Sequence, residues 1–78
     1  MKKFYVVDIR NKFEQEKNKM PKIFPSAQVL NEINPEKTFD SATVLICERG
    51  ARSLIKANEL SQKGFKNIFS LSGGRRGL

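Results

Sequence analysis

Cys47 is the one cysteine of a 78-residue chain that has no histidine. A thiol reacts as its thiolate, and without an imidazole beside it the proton must be drawn off by dipoles and cations. The stretch Cys47-Glu48-Arg49-Gly50-Ala51-Arg52-Ser53 offers both. It follows the apolar run Thr43-Val44-Leu45-Ile46, which reads as a strand buried on both faces, as in a parallel sheet. From Ser53 onward Leu54, Ala57 and Leu60 recur at helical spacing, with Arg52, Lys56, Glu59 and Lys63 on the other, charged side. The loop therefore joins the carboxyl end of a strand to the amino end of a helix. The first helical N–H groups have no intrahelical acceptor there, so they and the helix dipole favour an anion. With Cys47 at that junction the thiolate is the anion favoured, and its pKa is expected below that of an ordinary thiol. The bland alternative is a small core hydrophobe at the end of a buried strand. The glycine-containing loop and its two arginines set this cysteine apart from that reading.

The absence of histidine excludes Ser-His-Asp and Cys-His nucleophile pairs, histidine metal sites and an imidazole general base. One cysteine and scattered carboxylates form no metal constellation, and neither a metal nor an organic cofactor is expected. A single cysteine closes no intrachain disulfide and suits a reducing compartment. No apolar stretch reaches the roughly 20 residues of a membrane span, and Met1-Lys2-Lys3-Phe4 lacks the apolar core of a signal peptide. A cytoplasmic protein with no membrane association is expected. The net charge of +7 favours anionic partners, whether small oxyanions, acidic proteins or nucleic acid. The length allows one small domain over residues 1–78, with little room for a second site.

Phe4-Tyr5-Val6-Val7 reads as a first strand with Asp8-Ile9-Arg10 at its carboxyl end. Asn11 and Glu14 have the spacing of a capping box for a brief helix over 13–17. Asn18 to Phe24 is basic, holds Pro21 and reads as a loop, with Ser26 a candidate cap after Pro25. Ala27, Leu30 and Ile33 at helical spacing predict a small amphipathic helix that Asn34-Pro35 ends, and Glu36 to Ser41 reads as a connection. Lys63-Gly64-Phe65 has the pattern of a Schellman stop with Phe65 folding back on Leu60. Asn67 to Leu71 is a last short strand, and Ser72 to Leu78 an irregular basic end. Strands alternating with helices imply a mostly parallel sheet with helices on both faces, whose sites lie beyond the carboxyl ends of the strands. That rule collects Asp8, Arg10, the Cys47 loop, Gly73 and Gly74 at one edge.

Three segments in this order resemble the rhodanese-like sulfurtransferase family. Val7-Asp8-Ile9-Arg10 is similar to an Asp-Val-Arg that ends an early strand. Cys47 to Ser53 is similar to a Cys-x-x-Gly-x-Arg-Ser active-site loop, and Gly64-Phe65-Lys66-Asn67-Ile68-Phe69-Ser70-Leu71-Ser72-Gly73-Gly74 to a Gly-Phe-x-x-Val-x-x-Leu-x-Gly-Gly ending. The resemblance implies a small α/β rhodanese-like domain, short at both ends relative to the family, with its active-site loop at the carboxyl end of strand 43–46. It implies that Cys47 takes a sulfane sulfur as a persulfide and passes it to a thiol or other nucleophile, and that the N–H groups of Glu48, Arg49, Gly50, Ala51, Arg52 and Ser53 curl around that sulfur. Arg52, and Arg49 at the rim, would add positive charge; Asp8, Arg10, Gly73 and Gly74 would support the loop. Cysteine-dependent phosphatases share the layout but place five residues between cysteine and arginine, against four here. Glu48 stands where many thiosulfate-using relatives carry a basic residue, and its charge opposes an anionic donor.

The sulfur donor is expected to be thiosulfate or a persulfide, and the acceptor a thiol or an acidic sulfur-carrier protein. Two other classes of function remain open at this point. One is a catalytically weak module of the same fold that binds a partner. The other is a basic nucleic-acid-binding domain, prompted by the single arginine-glycine run Gly73 to Gly77 and by Lys12, Lys17, Lys19 and Lys22. The lack of a stacking-aromatic signature argues against nucleic acid, and those lysines read first as a solvated face.

Overall fold

The computed structural model describes residues 4–20 and 27–78. Four strands, β1 (Phe4–Asp8), β2 (Ala27–Leu30), β3 (Thr43–Ile46) and β4 (Ile68–Ser70), form one sheet in the order β2-β1-β3-β4, with every pairing parallel. Three helices connect them: α1 (Lys12–Lys17), α2 (Pro35–Thr38) and α3 (Ala51–Gln62). A 3-10 turn, Arg75–Gly77, follows β4. The predicted α/β class and the first and third strands stand as read, and the long helix is present. The part of the expected 18–24 loop from Pro21 onward, with Lys22 and the cap candidate Ser26, lies outside the described residues.

Side-by-side residues of a parallel sheet share a face, so the register sorts the core into rows. The row Leu30, Val7, Leu45, Ser70 lies beneath α3. Val7 and Leu45 are fully buried and cluster there with Ala57, Leu60 and Phe65. The row Val29, Val6, Val44, Phe69 runs across the opposite face. Val6 in its middle is fully buried and Val44 partly buried, while Val29 and Phe69 at its ends are 47% and 55% exposed. Chain direction explains the asymmetry. Right-handed crossovers put α2 and α3 on one face, because both connections travel the same way along the sheet. The β1-to-β2 connection travels the other way, and its helix α1 lies at the carboxyl end of β1, where Gln15 donates to Asp8 O and Arg10 O. Phe39, which ends α2, packs against Phe65 with ring centroids 4.9 Å apart and planes tilted by 57°, tying the α2 and α3 ends together.

Two sequence expectations are corrected. Ala27 to Ile33 is not a helix: Ala27–Leu30 is edge strand β2, in register with Phe4 to Val7. A seven-residue helix is too short to stand on its own propensity, whereas the strand satisfies the open backbone of β1 and sets Leu30 beside Val7. Asn34-Pro35 starts a helix where it was expected to end one. Asn34 caps α2 by accepting the Glu36 N–H at 3.1 Å, and Pro35 occupies the first turn, where it needs no N–H partner. A finer correction concerns α3, whose buried line is Ser53, Ala57 and Leu60; Leu54 is 56% exposed. Beginning the helix at Ala51 turns Ser53 to the sheet and Leu54 to solvent. The Schellman stop is present: Phe65 N–H donates to Leu60 O at 3.2 Å and Gly64 N–H to Ser61 O at 3.1 Å.

Candidate active site

Cys47 follows β3 directly, and its side chain is 1% exposed. The chain then reverses into α3 through Gly50, whose φ of 100° is left-handed. A Cβ at Gly50 would also come within 3.1 Å of the Gly73 N and 3.3 Å of the Gly74 N, so glycine answers both the backbone angle and the close approach. The turn brings two amides onto the sulfur: Gly50 N–H donates to Cys47 Sγ at 3.0 Å and Ser53 N–H at 3.3 Å. The N–H groups of Glu48, Ala51 and Arg52, which were expected to join them, make no hydrogen bond to Sγ, because a tight turn can aim only some of its amides at one atom. The Ser53 hydroxyl lies 3.5 Å from Sγ, donates to Gly50 O at 3.1 Å and shares a 2.7 Å hydrogen bond with the Ser70 hydroxyl. Ser70 reaches it because its row lies beneath α3.

Burial pushes the Cys47 thiol up. Interaction with the Ser53 hydroxyl and with the N–H groups of Ser53 and Gly50, and more weakly with that of Arg49, outweighs it and leaves the thiol below its ordinary value. The direction expected from the strand–helix junction is thus present, with named donors carrying it. The sulfur forms the floor of a cleft of about 320 Å³ lined by Glu14, Cys47, Glu48, Arg49, Ala51 and Arg52. A larger cleft of about 710 Å³ lies over the ends of β1 and β2 and includes Arg10, Gln15 and Asn34 among its walls. It contains neither the thiol nor the helix-start amides.

The charges around the loop are closely matched. The Arg10 side chain is fully buried and holds Asp8 through two bonds of 2.9 Å, from Nε to Oδ1 and from Nη2 to Oδ2. Its Nη1 continues to Glu48 Oε1 at 3.1 Å. Arg75 grips the same Glu48 carboxylate from the other side, at 2.8 and 2.7 Å. The Arg75 guanidinium, with burial opposing it and Arg10 assisting, holds the Glu48 carboxyl down to about 2. Glu48 therefore does not stand as the unmatched negative charge that its position after Cys47 suggested. Arg10, paired with Asp8 at the end of β1, reaches the loop through Glu48. Gly73 and Gly74 lead into the turn that brings the Arg75 N–H to Cys47 O at 2.8 Å and the Arg76 N–H to Glu48 O at 3.1 Å. At Gly74 a Cβ would fall on the Cys47 carbonyl oxygen, so only glycine fits.

Two residues at the site were not foreseen. In sequence Arg75 belongs to an irregular basic end, yet it binds the loop through both side chain and backbone. In sequence Glu14 shows only as half of a capping box, which it does form with Asn11. Its carboxylate also takes Arg52 at 2.9 and 2.7 Å. The signal for both was charge alone, and charge alone does not name its partner. Arg49 is exposed and makes no ion pair among the described residues, which leaves it as the uncommitted cation of the cleft.

The described residues contain no group of three or more potential metal-binding side chains and no helix long and apolar enough to cross a membrane. No protein-family model matches the chain. It is similar to "Rhodanese-like/PpiC domain-containing protein 12, chloroplastic" of Arabidopsis thaliana, at 33% identity over 78 aligned positions that take in 88% of this chain. The match spans 25% of that relative's length. The all-parallel sheet, the cysteine loop at its carboxyl edge and this similarity together support a rhodanese-like reading of the chain.

Proposed function

We propose that the chain is a sulfurtransferase that carries a sulfane sulfur on Cys47. The observation that supports this most is the pair of amides, Gly50 and Ser53, donating to Sγ at the floor of a cleft whose rim includes an uncommitted arginine. Such donors stabilise a thiolate, and the same donors suit the negative charge of a persulfide. With thiosulfate, the Cys47 thiolate attacks the outer sulfur; the new S–S bond forms as the old one breaks, and sulfite leaves with the electron pair. With an alkyl persulfide the leaving group is the alkyl thiolate. An acceptor nucleophile then attacks the outer sulfur of Cys47, forms its own bond to that sulfur and returns the Cys47 thiolate. No oxidant or reductant is needed in either half. Arg49 is placed to receive the anionic part of a donor, and a lone thiol used this way belongs in a reducing, cytoplasm-like compartment.

The acceptor is proposed to be a thiol, free or on an acidic carrier protein. A second reading is favoured by the adjacent exposed apolar side chains Leu54 and Ile55 on α3, at 56% and 67% exposure: a partner-binding module of the same fold with weak catalysis. Intact mass separates them. Reduced protein incubated with thiosulfate, or with a small alkyl persulfide, should gain one sulfur atom that cyanide or a thiol removes, and Cys47→Ser should gain none. No gain from either donor in folded protein would reject sulfur transfer and leave the binding module.

A further inference from the structure

We propose that Glu14 sets the donor preference of the cysteine cleft by occupying Arg52, so that the site accepts a dianionic donor less readily than a monoanionic or neutral one. The inference rests on the sulfur-transfer reading above and deepens it. Both partners line the cleft with Cys47, and the pair is bidentate, at 2.9 and 2.7 Å. The pairing takes the Nη1–Nη2 end of the guanidinium and sets a carboxylate charge against it, which weakens the pull of Arg52 on an entering oxyanion. The second carboxylate of the cleft, Glu48, is matched in the same way by Arg75 and Arg10. Of the arginines that line the cleft, only Arg49 then remains without an ion pair. A dianion such as thiosulfate entering beside the thiolate meets one free cation and three fixed negative groups, two of them already neutralised. A donor with one charge or none has less repulsion to offset. Glu14 reaches this place because its capping box with Asn11 fixes α1 against the carboxyl end of β1, where its main-chain oxygen also accepts from Arg10 Nη1 at 3.3 Å.

Glu14→Gln tests the idea cleanly. Glutamine serves a capping box as glutamate does, and the main-chain bonds of residue 14 are untouched. The first measurement is the rate of Cys47 alkylation by iodoacetate, an anion, divided by the rate with neutral iodoacetamide. The variant should raise this ratio by about three- to tenfold at low salt, as loss of one charge near the sulfur requires. The gain should fade near 1 M salt, where the Debye length is roughly 3 Å. The second measurement is kcat/KM for thiosulfate divided by that for an alkyl persulfide, which should rise in the same direction. Unchanged ratios, or equal changes with charged and neutral reagents, would overturn the role of Glu14. Should wild-type protein accept sulfur from neither donor, the sulfur-transfer reading would fall, while the alkylation ratio would still decide whether Glu14 governs anion access.

Discussion

At Cys47 burial and hydrogen bonding act in opposite senses, and the balance decides whether the thiol is a nucleophile or filler. A cysteine with 1% exposure in an apolar setting would hold its proton. Here Ser53 contributes both its hydroxyl and its N–H, and Gly50 its N–H. The Ser53 hydroxyl is itself held by Ser70, so it stays beside the sulfur at little entropic cost. Ser53→Ala removes the hydroxyl and keeps the amide. When the thiol ionises, the hydroxyl can turn its proton from the Gly50 carbonyl to the sulfur, so its loss should move the alkylation pH profile upward by up to about one unit and slow alkylation several-fold at neutral pH. Rates with iodoacetamide from pH 5 to 10 would check it. A profile that coincides with wild type would show that the helix-start amides alone lower the thiol.

At the scale of elements, α3 is held by one line of side chains and carries another that nothing in the described structure covers. Ser53, Ala57 and Leu60 face the sheet, while Leu54 and Ile55 face solvent. Leu60→Ala should cost about 2–5 kcal/mol, since it opens space between Leu45, Ala57 and Phe65. Leu54→Gln should change stability by less than about 0.5 kcal/mol. Urea titration of the two variants would check the orientation, and comparable losses would refute it. Much of this was legible in the residues: the apolar run of β3, the capping box of Asn11 and Glu14, and the stop at Gly64 each carry a local physical signature. The rotation of α3 was not, because Leu54 and Ser53 both fit a helical line until the start of the helix is known. Strand β2 was hidden for a related reason. Ala27, Leu30 and Ile33 satisfy a helical period, and only the presence of β1 alongside makes the extended form better. Likewise Cys47 and its loop could be picked out from residue types and spacing, whereas the engagement of Glu48 and Arg52 depends on Arg75 and Glu14, which are remote in sequence.

Over the whole molecule, a line of alternating charge, Asp8, Arg10, Glu48 and Arg75, joins the end of β1, the cysteine loop and the turn after β4. These three segments come from the beginning, middle and end of the chain, so the site exists only when the sheet has assembled. The joint is also titratable. Glu48 falls from an ordinary carboxyl value of 4.5 to about 2, with Arg75 the first cause, and Arg52 lowers Glu14 in the same sense. A group whose pKa is depressed on folding binds more protons when unfolded, so its contribution to stability is complete above the unfolded value and is lost as pH falls toward the folded one. For Glu48 that window runs from about 4.5 down to about 2. Wild-type stability in urea should therefore decline through this range, and Glu48→Gln should lack part of the decline. The two proteins should differ most at neutral pH and converge near pH 2. A gap of the same size at both ends of the range would mean that the Glu48 carboxylate shapes the loop without its charge contributing to the fold, and would assign the coupling of the three segments to the backbone bonds from Arg75 and Arg76 alone.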